Sequence, residues 1–159
     1  MLTKSGGRVK YDFGGAEFPR QKDFIVVDVM KRFSWEKLGF KNTYLERDIG
    51  RRWLGRLRPA ELVNVSRVLR YLCPLRVDRG TPYSDAFIKV MLAVAANIDG
   101  SLLPGGRVCL FDHLEALGLV VEELICRGYQ VRRMSLENPR DLHLPAEWQV
   151  ILKKPLERR

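Results

Sequence analysis

The run Leu103-Pro104-Gly105-Gly106-Arg107-Val108-Cys109-Leu110-Phe111 decides the fold. Pro104, Gly105 and Gly106 predict a tight turn, because proline presets φ and glycine accepts the left-handed backbone that such turns need. The apolar residues behind them predict a buried strand from Arg107 to Phe111. Upstream, Ser84 and Asp85 cap a predicted helix in which Phe87, Ile88, Met91, Leu92, Ala95 and Ile98 are apolar almost all round, and Asp99-Gly100 stops it. Downstream, Asp112 caps a helix from Leu114 to Arg127 that Gly128 ends. Tyr129 to Met134 and Glu147 to Lys153 predict two more strands across a loop from Pro139 to Pro145. Helix, strand, helix, strand, strand is the close of a doubly wound sheet. The expected class is therefore α/β: a Rossmann-like, mostly parallel sheet with helices on both faces and an antiparallel C-terminal strand pair.

The first half of the chain is less regular. Residues 1–22 mix glycine, Pro19 and charge, giving a loop-rich entry with one short strand around Arg8 to Phe13. Phe24-Ile25-Val26-Val27-Asp28 predicts a buried parallel strand, with Asp28 at its carboxyl end, where open α/β sheets place ligands. Loop and short helix are expected from Phe33 to Leu57. Pro59 opens a predicted helix on which Leu62, Val65, Leu69 and Leu72 recur and from which Arg67 and Arg70 project. At 159 residues one core is expected. It is a single domain with a loop-rich segment (1–22), a basic, partly helical insertion (33–80) and a regular C-terminal half (81–155).

A net charge of +9 favours an anionic partner, nucleic acid being the commonest. The charge is concentrated: Lys41 to Arg79 holds ten Lys or Arg against four acids. No apolar stretch reaches the twenty or so residues of a membrane span, and the first fifteen residues carry Lys4, Arg8 and Lys10 among glycines with no apolar block of a signal peptide behind them, so a soluble cytoplasmic protein is expected. Cys73, Cys109 and Cys126 have no metal-ligand spacing and read as buried free thiols, and with only His113 and His143 no metal is expected. Asp112-His113 beside Glu115 reads as a helix cap before an acid–base pair. Few Asn and Gln beside many Arg and Glu lean towards a thermophile.

These residues also carry a resemblance. Leu103 to Val108 looks like the L-x-P-G-G-x-hydrophobic passage before the fifth strand of class I S-adenosylmethionine-dependent methyltransferases. Gly128-Tyr129-Gln130-Val131 and the closing Glu147-Trp148-Gln149-Val150-Ile151-Leu152-Lys153-Lys154-Pro155 are similar to the end of the enzymes that methylate amino groups of adenine or cytosine in nucleic acid. The resemblance spans residues 81–155. It implies S-adenosylmethionine as cofactor and DNA or RNA as acceptor. The family's catalytic element is an Asp/Asn/Ser-Pro-Pro-aromatic tetrapeptide after the fourth strand, which holds the target amine and stacks on a flipped base. Two places stand in for it: Asp28-Val29-Met30-Lys31, with Phe33 and Trp35 close behind, and Gly80-Thr81-Pro82-Tyr83. Asp28 and Tyr83 are thus the catalytic candidates, set against plainer roles as strand-end cap and helix-entry aromatic. Trp35, Trp53 or Tyr83 would stack on a base, and Arg51, Arg52, Arg56, Arg58, Arg67 and Arg70 would hold phosphates.

The family also binds its cofactor on a glycine-rich turn after the first strand, with an acid ending the second strand at the ribose. Gly14-Gly15 lies ten residues before Phe24, too close for an intervening helix, and the chain before Thr81 is short for the remaining strands. No cofactor loop is assigned from sequence, and completion of the site by another subunit, like or unlike, is one expectation. Two further readings stay open: a catalytically silent methyltransferase-like module that binds nucleic acid or a partner subunit, and a Rossmann-like scaffold of other ancestry.

Overall fold

The computed structural model describes residues 8–15, 22–53, 55–72, 84–137 and 146–156. The described elements run β1 (Lys10–Phe13), β2 (Phe24–Asp28), α1 (Arg32–Lys37), β3 (Tyr44–Glu46), β4 (Ala60–Ser66), α2 (Leu69–Leu72), α3 (Asp85–Ser101), β5 (Leu102–His113), α4 (Leu114–Cys126), β6 (Gln130–Leu136) and β7 (Glu147–Lys153). The strands form one sheet in the order β3-β2-β1-β4-β5-β7-β6. β1 to β5 run parallel, and β7 inserts antiparallel between β5 and β6.

Strand parity divides the sheet into two unlike faces, since paired residues on neighbouring strands point the same way. On one face Tyr11, Phe13, Val63, Val65, Val108, Leu110, Val150 and Leu152 are at most 2% exposed. α3 covers them with Phe87, Met91, Val94, Ala95 and Ile98, and α4 with Ala116, Leu117, Val120 and Leu124. Each such side chain stabilises the fold by about 1.5–3 kcal/mol relative to exposure. On the other face α1 lays Trp35 over Val26 and Tyr44, and among the described residues no helix covers β4, β5, β7 or β6 there. Three cross-strand rows run over this open face. The first is Lys10, Leu62, Arg107 and Lys153; the second Asp12, Asn64, Cys109, Ile151 and Arg133; the third Ser66, Phe111, Gln149 and Ser135.

The class expected from sequence is the class observed, and the C-terminal elements fall where the patterns place them, with small shifts. Ser84 Oγ accepts the Phe87 N–H at 3.2 Å, and Gly128 adopts φ +93° after α4. α3 continues through Asp99-Gly100 to Ser101. β5 begins at Leu102, so Leu103 to Gly106 forms a bulge within the strand: Ala60 pairs with Leu102 and Leu62 with Arg107. The N-cap of α4 is His113, while Asp112 is turned into the protein.

Three expectations fail. The helix predicted from Pro59 is strand β4, followed by the single turn of α2. Its Leu62, Val65, Leu69 and Leu72 have helical spacing by coincidence. Val63 and Val65 alternate into the core with Asn64 and Ser66 opposite, the pattern a central strand imposes. Nor is the chain too short before Thr81, because four strands fit within residues 10–66. β3 has three residues, and only ten, Gly14 to Asp23, join the parallel pair β1 and β2, fewer than usual. Of the cysteines, Cys109 is half-buried and Cys126 exposed, against the expectation of burial, and Cys73 lies outside the described residues.

Candidate functional site

β1, β2 and β4 end together, and a cleft of about 890 Å³ opens at their carboxyl ends. Gly14 and Gly15 form its floor directly after β1. Gly14 has φ +75°, donates its N–H to the Val27 carbonyl at 2.7 Å, and lies so near α2 that a Cβ would sit 2.3 Å from Val68 Cγ2. A Cβ on Gly15 would sit 2.2 Å from Asp12 Oδ2. That carboxylate cannot swing aside freely: it is 2% exposed and accepts Asn64 Nδ2 at 3.1 Å. The turn therefore presents bare main chain to the cleft, which suits close approach of a ligand.

Asp28 ends β2 on the adjacent wall. Its Oδ1 accepts the Val29 N–H at 2.6 Å, and its carbonyl accepts Arg47 N–H at 2.8 Å. The Tyr44 hydroxyl is hydrogen-bonded to the Met30 carbonyl and lies 3.2 Å from that of Asp28. Burial, then the charges of Asp28 and Glu46, push the Tyr44 phenol up to about 12, so it stays a donor that fixes the end of β2. The third wall comes from the end of β4, α2 and the two residues between them: Ser66, Arg67, Val68 and Tyr71, the last 78% exposed.

This geometry corrects the sequence-based site. Asp28 closes the second strand and does not follow the fourth, so it occupies the place of the acid that the resemblance assigns to the ribose and not that of the amine-holding tetrapeptide. Gly14-Gly15 likewise stands on the turn after the first strand, although the short connection to β2 had argued against it. Ser66-Arg67-Val68-Leu69 leads from the last residue of β4 into α2, without the prolines or aromatic of the expected tetrapeptide. Tyr83 lies outside the described residues. Sequence reading missed Tyr71, which the misread helix had hidden; its only signal was an aromatic beyond the amide and hydroxyl of Asn64 and Ser66.

Arg67 has φ 56°, a costly conformation for a side chain of its size, beside the cleft. It is held by its N–H to the Phe111 carbonyl at 2.7 Å, by a guanidinium 5.0 Å from the Phe111 ring centre, and by bonds to both Glu147 oxygens at 2.8 and 3.2 Å. Arg70 bridges Glu147 at 2.7 Å and Asp112 at 2.8 Å. Both arginines, expected to meet phosphates, are thus paired with carboxylates. Burial would raise the Glu147 carboxyl, but hydrogen bonds from Arg67 and Arg70 outweigh it and hold the group below its ordinary 4.5. A lowered carboxyl stabilises the fold fully above its ordinary value and loses that contribution as pH falls through the folded value. In a Tm series from about pH 7 to pH 3, stability is expected to drop below 4.5, and Glu147→Gln to flatten that acid limb.

The remaining candidates lie elsewhere. Trp35 is 3% exposed, stacked on Tyr44 at 4.6 Å and Phe40 at 5.5 Å, so it has no face for a base. Trp53 packs on Phe13, carries the Arg47 guanidinium 5.4 Å above it and donates Nε1 to the Asp48 carbonyl. Arg51, Arg52, Arg56 and Arg58 are exposed. Asn97 pins this segment by donating to the Ile49 and Arg51 carbonyls and accepting Trp53 N–H. Arg52 and Arg56 line a hollow with Gly100, Ser101 and Lys154, at the amino ends of β4 and β5. They do not converge with Asp28.

No family model and no curated protein matches the chain. Solved structures do. It is similar to a TehB-like SAM-dependent methyltransferase from Corynebacterium glutamicum ATCC 13032 Kitasato (TM-score 0.66, 13% identity, 93% of this chain and 80% of that one). The N-methyltransferase NodS from Bradyrhizobium japonicum WM9, in complex with S-adenosyl-L-homocysteine, superposes with TM-score 0.63 at 15% identity over 93% of this chain and 78% of its own. The glycopeptide N-methyltransferase MtfA complexed with S-adenosyl-L-methionine does so with TM-score 0.65 at 10% identity over 96% and 90%. The chain has the Rossmann-like fold of class I methyltransferases.

Proposed function

We propose that the chain binds S-adenosylmethionine in the cleft after β1, β2 and β4 and methylates an amino group of a nucleic-acid base. The observation that carries this is the convergence of the side-chain-free Gly14-Gly15 turn with Asp28 on one cleft. These residues fit the cofactor: the turn admits a ligand against main chain, and the Asp28 carboxylate is a bidentate acceptor for a sugar diol. The cofactor supplies an electrophilic methyl group, so the protein needs no nucleophile and acts by binding and orientation. Ser66 presents a hydroxyl at the end of β4 for the amine, and the exposed Tyr71 ring offers a planar surface beside it. NodS and MtfA are N-methyltransferases, which supports an amino acceptor. The net charge of +9 and the exposed Arg52, Arg56 and Arg58 support a polyanion as its carrier.

Isothermal titration with S-adenosylmethionine and S-adenosylhomocysteine tests the cofactor. Micromolar binding is expected, weakened about tenfold or more, or by roughly 1.4 kcal/mol, in Asp28→Ala. The absence of Pro-Pro-aromatic after β4 favours a second reading, a binding module without methyl transfer. Failure of the intact protein to bind either ligand would decide for it.

A further inference from the structure

We infer that the open face of the sheet is a docking surface for a single-stranded polynucleotide, which it leads into the cleft. The inference rests on the acceptor class proposed above but not on the cofactor.

The first row of this face presents Lys10, Arg107 and Lys153 side by side on β1, β5 and β7, with Arg133 at the edge of the second row. Lys10 is paired with Asp23 at 3.0 Å, and Arg8 beside it with Glu61 at 3.5 Å. Arg107, Arg133 and Lys153 have no acidic partner among the described residues. Leu62 stands within the cation row, and above it lie the half-buried Cys109, Ile151 and Phe111, the last beside the Arg67 guanidinium. A hollow of about 680 Å³ occupies the lower part of the face, lined by Lys10, Leu62, Arg107, Cys109 and Ile151. Asn64, on β4, lines both this hollow and the cleft, so the two lie next to one another on the same face of the sheet.

A row of cations below a partly apolar floor is what a single strand requires: phosphates on the charges and bases against the floor. A duplex would shield its bases from that floor. A second copy of the chain, applied symmetrically, would set Arg107, Arg133 and Lys153 against their own copies, with Asp23 and Glu61 already paired to Lys10 and Arg8. The surface differs from the basic segment at Arg51 to Arg58, which lines a separate hollow.

The test is fluorescence-anisotropy titration of a labelled oligothymidylate of about 15 nucleotides, the order of one such binding site, without cofactor. Arg107→Glu and Lys153→Glu are each expected to weaken binding about tenfold, and Arg107→Gln to lower the salt slope by about 0.7. Lys89→Glu makes the same charge change on exposed α3, across the sheet, and is expected to alter affinity less than about twofold. Circular dichroism and retained S-adenosylhomocysteine binding check that the variants fold. Unchanged affinity in Arg107→Glu and Lys153→Glu, equal weakening by Lys89→Glu, or preference for the duplex of the same length would overturn the surface alone. No binding by the unaltered protein would overturn the acceptor class with it.

Discussion

Arg70→Met is expected to lower the unfolding free energy by about 3–5 kcal/mol, the usual consequence of removing one partner of a buried ion pair. Arg70 joins three parts of the sheet: it leaves α2, just after β4, and bonds Asp112 at the end of β5 and Glu147 at the start of β7. The desolvation already imposed on Asp112, which is 0% exposed, is what makes the loss large. Without the guanidinium it keeps main-chain donors, His113 N–H at 2.8 Å and residue 70 N–H at 3.4 Å, but no counter-charge. Glu147 retains Arg67 and is less affected. Urea titration gives the loss directly, and Tm should fall by about 2–4 °C per kcal/mol. Arg70→Met combined with Asp112→Leu is expected to recover much of it, because the stranded charge is gone. A loss below about 1 kcal/mol in the single variant would show that solvent reaches Asp112 and that the network is not a structural tie.

Gly14→Val is expected to remove cofactor binding, a weakening beyond about a hundredfold, or roughly 2.7 kcal/mol. Two effects act at once. A β-branched side chain at φ +75° is strained wherever it occurs, and here its Cβ would also meet Val68 Cγ2 at 2.3 Å, pushing α2 or the turn out of place. Gly39 separates these effects, having φ +75° but nothing within 4 Å of an added Cβ. Gly39→Val carries the strain without the collision and lies off the cleft, so it should lose stability and keep its ligand. Equal loss of ligand in both variants would mean that backbone strain, not the shape of the turn, controls the site.

The sheet's second half was legible because its signals are local. Ser84 caps a helix, Gly128 ends one, and Arg107 to Phe111 is strand beside the Pro104-Gly105-Gly106 bulge whatever surrounds them. The first half was not, for two physical reasons. Leu62 and Val65 lie on opposite faces of β4 and Leu69 in the α2 turn beyond it, so their helical spacing, which runs across a strand–helix junction, was accidental. The ten residues linking β1 and β2 are fewer than a helical crossover needs, so Gly14-Gly15 was not read as the turn after the first strand of the sheet. Asp28 was singled out as a strand-end acid and does end a strand, but which strand it ends depended on knowing how many precede it. Trp35 and the arginines show the limit of composition: an aromatic among cations reads as a nucleic-acid contact, yet Trp35 covers Val26, and Arg67 and Arg70 answer carboxylates 80 and 42 residues away.

The place of β7 between β5 and β6 bears on how the chain leaves the ribosome. β6 is complete at Leu136 but has no neighbour until residues 147–153 emerge. Glu147 then supplies the carboxylate that Arg67 and Arg70 share, and Lys154 donates to the carbonyls of Asp99 and Leu102 where α3 turns into β5. Until then β5 presents a bare edge, which chaperones and proteases engage. A chain interrupted before residue 147 therefore leaves β5 with a bare edge and β6 without a partner.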